Sequence, residues 1–151
     1  MNGNIYLLDT NVVSELMRPE PSPLVLGWID SVGIGGLAIS AITRWEIRYG
    51  LALLAQGKRR EDLALRFDGL ITDLFGAGTL DFTSAAAEAC VLIMARKRAL
   101  GESLDEHLPD AMIAGIASAY GMTVATRNRA EFRNCGLALV NPWDSSKSQL
   151  S

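Results

Sequence analysis

The sequence predicts a three-layer α/β/α domain with a mostly parallel central sheet. Short apolar segments of strand character alternate with longer segments of helical period along the whole chain. The connections between successive strands are too long for hairpins, and parallel strands need crossovers of that kind. The 151 residues, 49% hydrophobic and 21% charged, supply one core that removes roughly two thirds of the unfolded surface from water, with too much apolar content for disorder. Residues 1–143 are therefore expected to form a single domain, and the polar segment 144–151 a disordered tail.

The elements follow in order. Ile5 to Leu8 is a short apolar run bounded by Asp9, Thr10 and Asn11, which predicts a buried strand feeding a helix. Three prolines between Arg18 and Pro23 stop that helix, and Leu24 to Val32 predicts a second short one. Gly33, Gly35 and Gly36 break the chain before a strand at Leu37 to Ser40. From Ile42 to Leu54 apolar residues recur at helical spacing; Gly57 and the charged run Lys58 to Asp62 predict a turn into a helix from about Glu61 to Phe75. Thr79 to Phe82 is the third predicted strand. Thr83 to Leu100 is a helix capped by Thr83 or Ser84 and closed by Gly101; Asp110 to Tyr120 is another, closed by Gly121. Thr123 to Thr126 and Leu137 to Val140 complete the strands.

Met1 to Tyr6 has none of the basic, apolar and cleavage-site features of a secretory signal, and no apolar run approaches the ~20 residues that span a bilayer, so a cytoplasmic location is expected. Cys90 falls in a predicted helix and Cys135 in a predicted turn, without motif spacing; both are expected as free thiols with no functional role. The net charge of −3 argues against a protein that grips nucleic acid through a basic field. The objection weakens if several acids share one metal site, because the cation offsets them while arginines and lysines elsewhere contact phosphate. Lys58, Arg59, Arg60, Arg127 and Arg129 are candidates for that role, each with solvated surface charge as its alternative.

Three carboxylates stand where ordinary surface residues would not. Asp9 lies at the carboxyl end of the first strand, where open parallel sheets place their sites, although Asp-Thr-Asn is also a good helix start. On a helical projection Thr43, Glu46 and Gly50 form one stripe, flanked by Ile42, Trp45, Tyr49 and Leu53 on one side and by Ile47, Leu51 and Leu54 on the other, with Arg44 and Arg48 elsewhere. A carboxylate between apolar walls costs several kcal/mol unless a cation or a wet cleft compensates it. Asp110 opens a segment, Ala111 to Ala119, that is small or apolar almost all round; alone it reads as a cap. Together the three offer oxygen ligands suited to Mg²⁺ or Mn²⁺, with no Cys/His cluster for zinc. The single His107 reads as a loop residue.

The strings LLDTNVVSEL, AISAITRWEIRYGLALL, PDAMIAGIASAYGMTVATRN and CGLALVNPW resemble, in register from about Ile5 to Trp143, the PIN-domain toxins of the VapC and FitB type. The resemblance implies a PIN-like fold and carries the family's first, second and third acids onto Asp9, Glu46 and Asp110. Some members have a fourth acid after the segment matching VATR; this chain has Asn128 there, which can ligate through its carbonyl oxygen or hold a water, with Thr126 or Glu131 assisting. It also implies Mg²⁺- or Mn²⁺-dependent RNA cleavage, a cognate antitoxin protein and a toxin homodimer, or a hetero-oligomer with antitoxin.

The expected chemistry is phosphodiester hydrolysis by metal-activated water, leaving a 5′-phosphate and a 3′-hydroxyl. Asp9, Glu46 and Asp110 would be the catalytic ligands, Thr10, Asn11, Thr43 and Thr126 their supports, and Arg127 and Arg129 substrate contacts. The alternative is a PIN fold with weak catalysis that acts as a binding module, Asn128 being the sign of decay. A receiver-like signalling domain needs an acidic pair and a late lysine; LLDTN offers one acid, and no lysine lies between Lys97 and Lys147. A haloacid-dehalogenase-like phosphatase is disfavoured because Asn11 replaces the second Asp of its nucleophile motif.

Overall fold

The computed structural model describes residues 4–144; the tail expected from Asp144 lies outside them, apart from Asp144 itself. Five parallel strands, β1 (Tyr6–Leu8), β2 (Leu37–Ser40), β3 (Thr79–Leu80), β4 (Thr123–Ala125) and β5 (Leu139–Val140), form one sheet in the order β3-β2-β1-β4-β5. Because successive strand residues point to opposite faces, the apolar runs serve two cores. Leu7, Ala38 and Val124 face a layer containing α5 (Ser84–Ala99), α6 (Leu108–Tyr120) and the short α7 (Arg129–Phe132). Leu8, Leu37, Ile39 and Ala125 face a layer of α1 (Thr10–Leu16), α2 (Pro23–Val32), α3 (Ala41–Ala52) and α4 (Lys58–Asp73). This is the expected three-layer sandwich. No helix among the described residues is long and apolar enough to cross a membrane.

Several boundaries differ from the sequence reading. The run Lys58 to Asp62 is the first turn of α4: Gly57, at φ 148°, makes the break, the Glu61 N–H donates to Gly57 O at 3.1 Å, and Lys58 meets Asp62 at 3.9 Å one turn on. The charges that suggested a turn belong to good helix formers on a solvated face. Helix α6 starts at Leu108, with His107 in the capping position, so Asp110 is its third residue rather than its opening. Pro109 fits inside that first turn because its missing N–H has no intrahelical partner to lose. Helix α7 was not foreseen, being one turn long and anchored by a single buried residue, Phe132.

Buried Lys97 fastens the α7 segment. Its ammonium donates to Glu102 Oε2 at 2.9 Å and to the Arg133 carbonyl at 2.7 Å, while Asn134 Nδ2 donates to the other Glu102 oxygen at 2.9 Å. A buried charge is tolerable when paired and hydrogen-bonded in this way. Cys90 and Cys135 are both buried free thiols.

Helices α5 and α6 touch at Gly115. A Cβ there would lie 2.5 Å from the Ala86 carbonyl oxygen and 2.9 Å from Cys90 Cβ, contacts that only separation of the two helices relieves. Gly115→Ala should therefore destabilise the fold by about 1–3 kcal/mol, overpacking outweighing the better helix propensity of alanine. A fall in melting temperature of roughly 2–10 °C is the expected readout; an unchanged or raised value would contradict the close approach.

Candidate metal centre

The sheet's topology assembles the centre. Strand β1 lies centrally between β2 and β4, and its carboxyl end delivers Asp9, which is 2% exposed. The Asp9 backbone N–H still belongs to the sheet, donating to Ala125 O at 2.9 Å, while its carboxylate caps α1 by accepting from Thr10 N at 2.8 Å. Its second oxygen accepts from Thr126 Oγ1 at 2.8 Å and from Asn11 Nδ2 at 3.1 Å. Thr126, fully buried just beyond β4, in turn accepts from the Asn128 backbone N–H at 3.0 Å. Asn11 Oδ1 accepts from the Arg127 N–H at 3.2 Å, closing a network between the ends of β1 and β4.

On the other side, Ser40 ends β2 and caps α3 by accepting from Thr43 N at 2.9 Å. The first turns of α3 then carry Thr43, fully buried, and half-buried Glu46 toward α1. Thr10 Oγ1 donates to Glu46 Oε1 at 2.6 Å. Its single proton is used there, so at the 3.0 Å contact between Thr10 and Thr43 the donor is Thr43. Only one of the two apolar walls expected around Glu46 is core. Ile47 and Leu51 are buried, whereas Trp45, Tyr49 and Leu53 are 55%, 58% and 69% exposed. A surface arginine as partner to Glu46 is not found: Arg44 reaches Thr79 at 3.1 Å and Arg48 reaches Asp68 at 2.5 Å.

Asp110 enters from α6, on the opposite face of the sheet from α1 and α3. Among the described residues no lysine or arginine pairs with Asp9, Glu46 or Asp110; the imidazole near Asp110 is that of His107, whose Nδ1 is 4.0 Å from Asp110 Oδ2. Burial pushes the Asp110 carboxyl up to about 7, with the charges of Asp9, Glu46 and Glu131 adding and His107 opposing. Burial likewise raises Asp9, against the hydrogen bonds from Thr126, Thr10 and Asn11, and Glu46 adds to the rise. These couplings bring the three acids into one electrostatic cluster. A divalent cation fits it, because it would relieve a charge the chain leaves uncompensated.

Two further residues join the cluster. His107 Nε2 lies 3.7 Å from Glu131 Oε2 on α7, and ligand atoms of His107, Asp110 and Glu131 all fall within 4.8 Å of one another. His107 is the loop residue expected, immediately before α6, and it lies beside two carboxylates. Asn128 contributes its backbone N–H, its residue being exposed. Arg129 is paired with Asp144, and Arg127 stacks on Trp143, its guanidinium carbon 4.6 Å from the ring centroid.

This geometry coincides with a family match: the PIN domain model covers residues 6–136. The chain belongs to the PIN-domain family. Plasmid stability protein StbB of Pseudomonas syringae pv. tomato is 40% identical over 93% of this chain and 100% of its own length. VapC ribonuclease Y4jK of Sinorhizobium fredii is 39% identical, covering 93% and 99%. The crystal structure of FitAcB from Neisseria gonorrhoeae superposes with a TM-score of 0.82 at 37% identity, covering 92% of this chain and 99% of that one. The similarity to the VapC and FitB type, first drawn from four sequence strings, thus spans nearly the whole PIN domain.

The raised Asp110 carboxyl makes the metal-free PIN domain sensitive to pH. With a folded value near 7 and an unfolded value of about 3.9, the folded state holds the extra proton between them, so stability falls as pH rises through this window and levels off above it. In excess chelator, wild-type protein should lose melting temperature between pH 5.5 and 7.5. Asp110→Asn should show a shallower slope and melt at an equal or higher temperature at pH 8. Parallel slopes for the two proteins would mean that Asp110 is an ordinary solvated helix-start residue.

Proposed function

We propose that this PIN-domain protein is a metal-dependent endoribonuclease and the toxin of a toxin–antitoxin pair, with Asp9, Glu46 and Asp110 holding Mg²⁺ or Mn²⁺. One observation carries the reading: three carboxylates from separate elements are coupled electrostatically, and no lysine or arginine among the described residues pairs with them. Oxygen donors of this kind suit hard divalent cations. A bound cation supplies Lewis acidity at the scissile phosphate and makes water nucleophilic near neutral pH. The chain's own residues orient the donors. Thr10 and Thr43 hold Glu46 through a relay of hydroxyls, and Thr126 and Asn11 fix one Asp9 oxygen. The products would be a 5′-phosphate and a 3′-hydroxyl.

For the fourth acid we favour Glu131 over Asn128, because Glu131 already couples to Asp110 and meets His107. Asn128 is then no sign of lost catalysis, which weighs against the binding-module reading. The antitoxin has a plausible seat: a groove of about 610 Å³ runs from Glu46 past Ile47, Leu51 and Leu54 to Arg59 and Arg66. An apolar segment bearing one basic side chain would fill it and neutralise Glu46. Relatives in the FitAB and VapBC structures are bound to DNA fragments, and those assemblies support a partner here.

The test is cleavage of a mixed RNA pool with Mg²⁺, Mn²⁺, Ca²⁺ or excess chelator, using Glu46→Gln as control. Turnover should need Mg²⁺ or Mn²⁺ and be poor with Ca²⁺, whose bonds are longer and shell looser. Glu131→Gln should lower it roughly 10–100-fold, while Asn128→Ala should cost much less. Full activity in chelator would sink the metal reading, and the reverse ranking of the two variants would return the fourth position to Asn128.

A further inference from the structure

Beside the acidic centre, on the β4–β5 side, lies a cavity of about 430 Å³ that the chemistry above does not use. One wall is the indole of Trp143 with the Arg127 guanidinium stacked on it. The turn that presents Trp143 is braced: Asn141 Oδ1 accepts from the Trp143 N–H at 2.9 Å, and Arg129 pairs with Asp144. The rest of the lining is the proline-rich turn from Glu20 to Pro23 together with Glu15 and Arg18. Glu15 is 6% exposed; it accepts from Ser22 N at 2.8 Å and from a single nitrogen of Arg18 at 3.2 and 3.3 Å. Arg18, 65% exposed, keeps its other guanidinium nitrogens for a ligand.

The cavity is tied to the reaction site. The Arg127 N–H donates to Asn11 Oδ1, and Asn11 Nδ2 donates to Asp9. Strands β1, β4 and β5 are parallel neighbours in the sheet, so Asp9, Arg127 and Trp143 follow the same edge, about 10 Å across at the usual strand spacing. A flat aromatic face with a planar cation suits a nucleobase, since stacking tolerates any base and Arg adds attraction for its phosphate.

We propose that this cavity binds one base of single-stranded RNA adjacent to the cleaved phosphate, and that the base is guanine. The inference rests on the ribonuclease reading. Guanine alone combines two adjacent N–H donors, from N1 and the 2-amino group, with a neighbouring O6 acceptor. A carboxylate retains lone pairs beyond three accepted hydrogen bonds, and the free Arg18 nitrogens match O6.

The experiment uses Glu46→Gln protein, so that binding is read without cleavage, and short RNAs differing at one position as guanine, inosine or adenine. Tryptophan fluorescence should be quenched most by the guanine RNA, which should bind about ten-fold more tightly than the adenine RNA, with inosine, lacking the 2-amino group, between them. Trp143→Leu should remove the quench and weaken binding about ten-fold, and Glu15→Gln should narrow the difference between guanine and inosine. If Glu15→Gln fails to fold, the inosine comparison still decides the point. Equal affinity for the three RNAs overturns the proposal whether or not RNA is cleaved. Guanine-selective quenching in a protein whose wild type cleaves nothing would leave the pocket standing and sink the nuclease reading.

Discussion

The structure is organised around a repulsion. Three carboxylates, at the end of β1, on α3 and on α6, act on one another electrostatically: the charges of Asp9 and Glu46 both raise the Asp110 carboxyl, and Glu46 raises Asp9. The chain opposes this with hydroxyl and amide donors rather than cations: Thr126, Asn11 and the Thr10 N–H at Asp9, and Thr10 at Glu46. Each donor comes from an element end, and those ends meet because all five strands run parallel. Neutral donors tolerate the carboxylates without cancelling their charge. The residual field is what a divalent cation would relieve in the reading proposed above.

The parts of this arrangement that depend on local period were legible in the sequence. Strand β1 and its exit into α1 follow from an apolar run meeting Asp-Thr-Asn, and the parallel sheet from the alternation of strands with long crossovers. The alternate facing of Leu7 and Leu8 into separate cores is the physical reason β1 reads as uniformly apolar: both faces are covered. Glu46 was singled out for a partly mistaken reason. Its projection placed it between two apolar walls, yet Trp45, Tyr49 and Leu53 are on the surface, because projection reports which residues share a stripe and not what packs against it. Of the two walls, the one containing Ile47 and Leu51 does face the core.

What the sequence left undetermined depends on tertiary meetings of short segments, Glu131 having been named there only as an assisting residue. Glu131 sits in a four-residue helix whose placement is decided by buried Phe132 and by the Lys97 ammonium some thirty-five residues earlier. No period can announce a helix that short. His107 meets Asp110 three residues on along α6, and it meets Glu131 only because α7 folds against the start of α6. Asn128 attracted attention by aligning with a familiar position, but its backbone rather than its side chain enters the network. A motif position fixes an address along the chain, whereas a ligand requires a side chain of the right reach and direction.

The acidic balance of the chain, which argued against nucleic acid, takes a different meaning once charges are placed. Several arginines are already engaged: Arg48 with Asp68, Arg98 with Asp105, Arg129 with Asp144 and Arg133 with Glu102. They contribute little field at a distance, since exposed pairs are mutually screened. Arg127, on the β4 side of the acids, contacts the face of Trp143 rather than a carboxylate, so its positive charge remains available beside them. In the reading proposed above, a bound cation and the Arg127 guanidinium at the edge of the acids would give a phosphate two positive anchors. Net charge of −3 measures the sum over the surface, while recognition of a phosphodiester responds to where the few charges within a Debye length of it are placed.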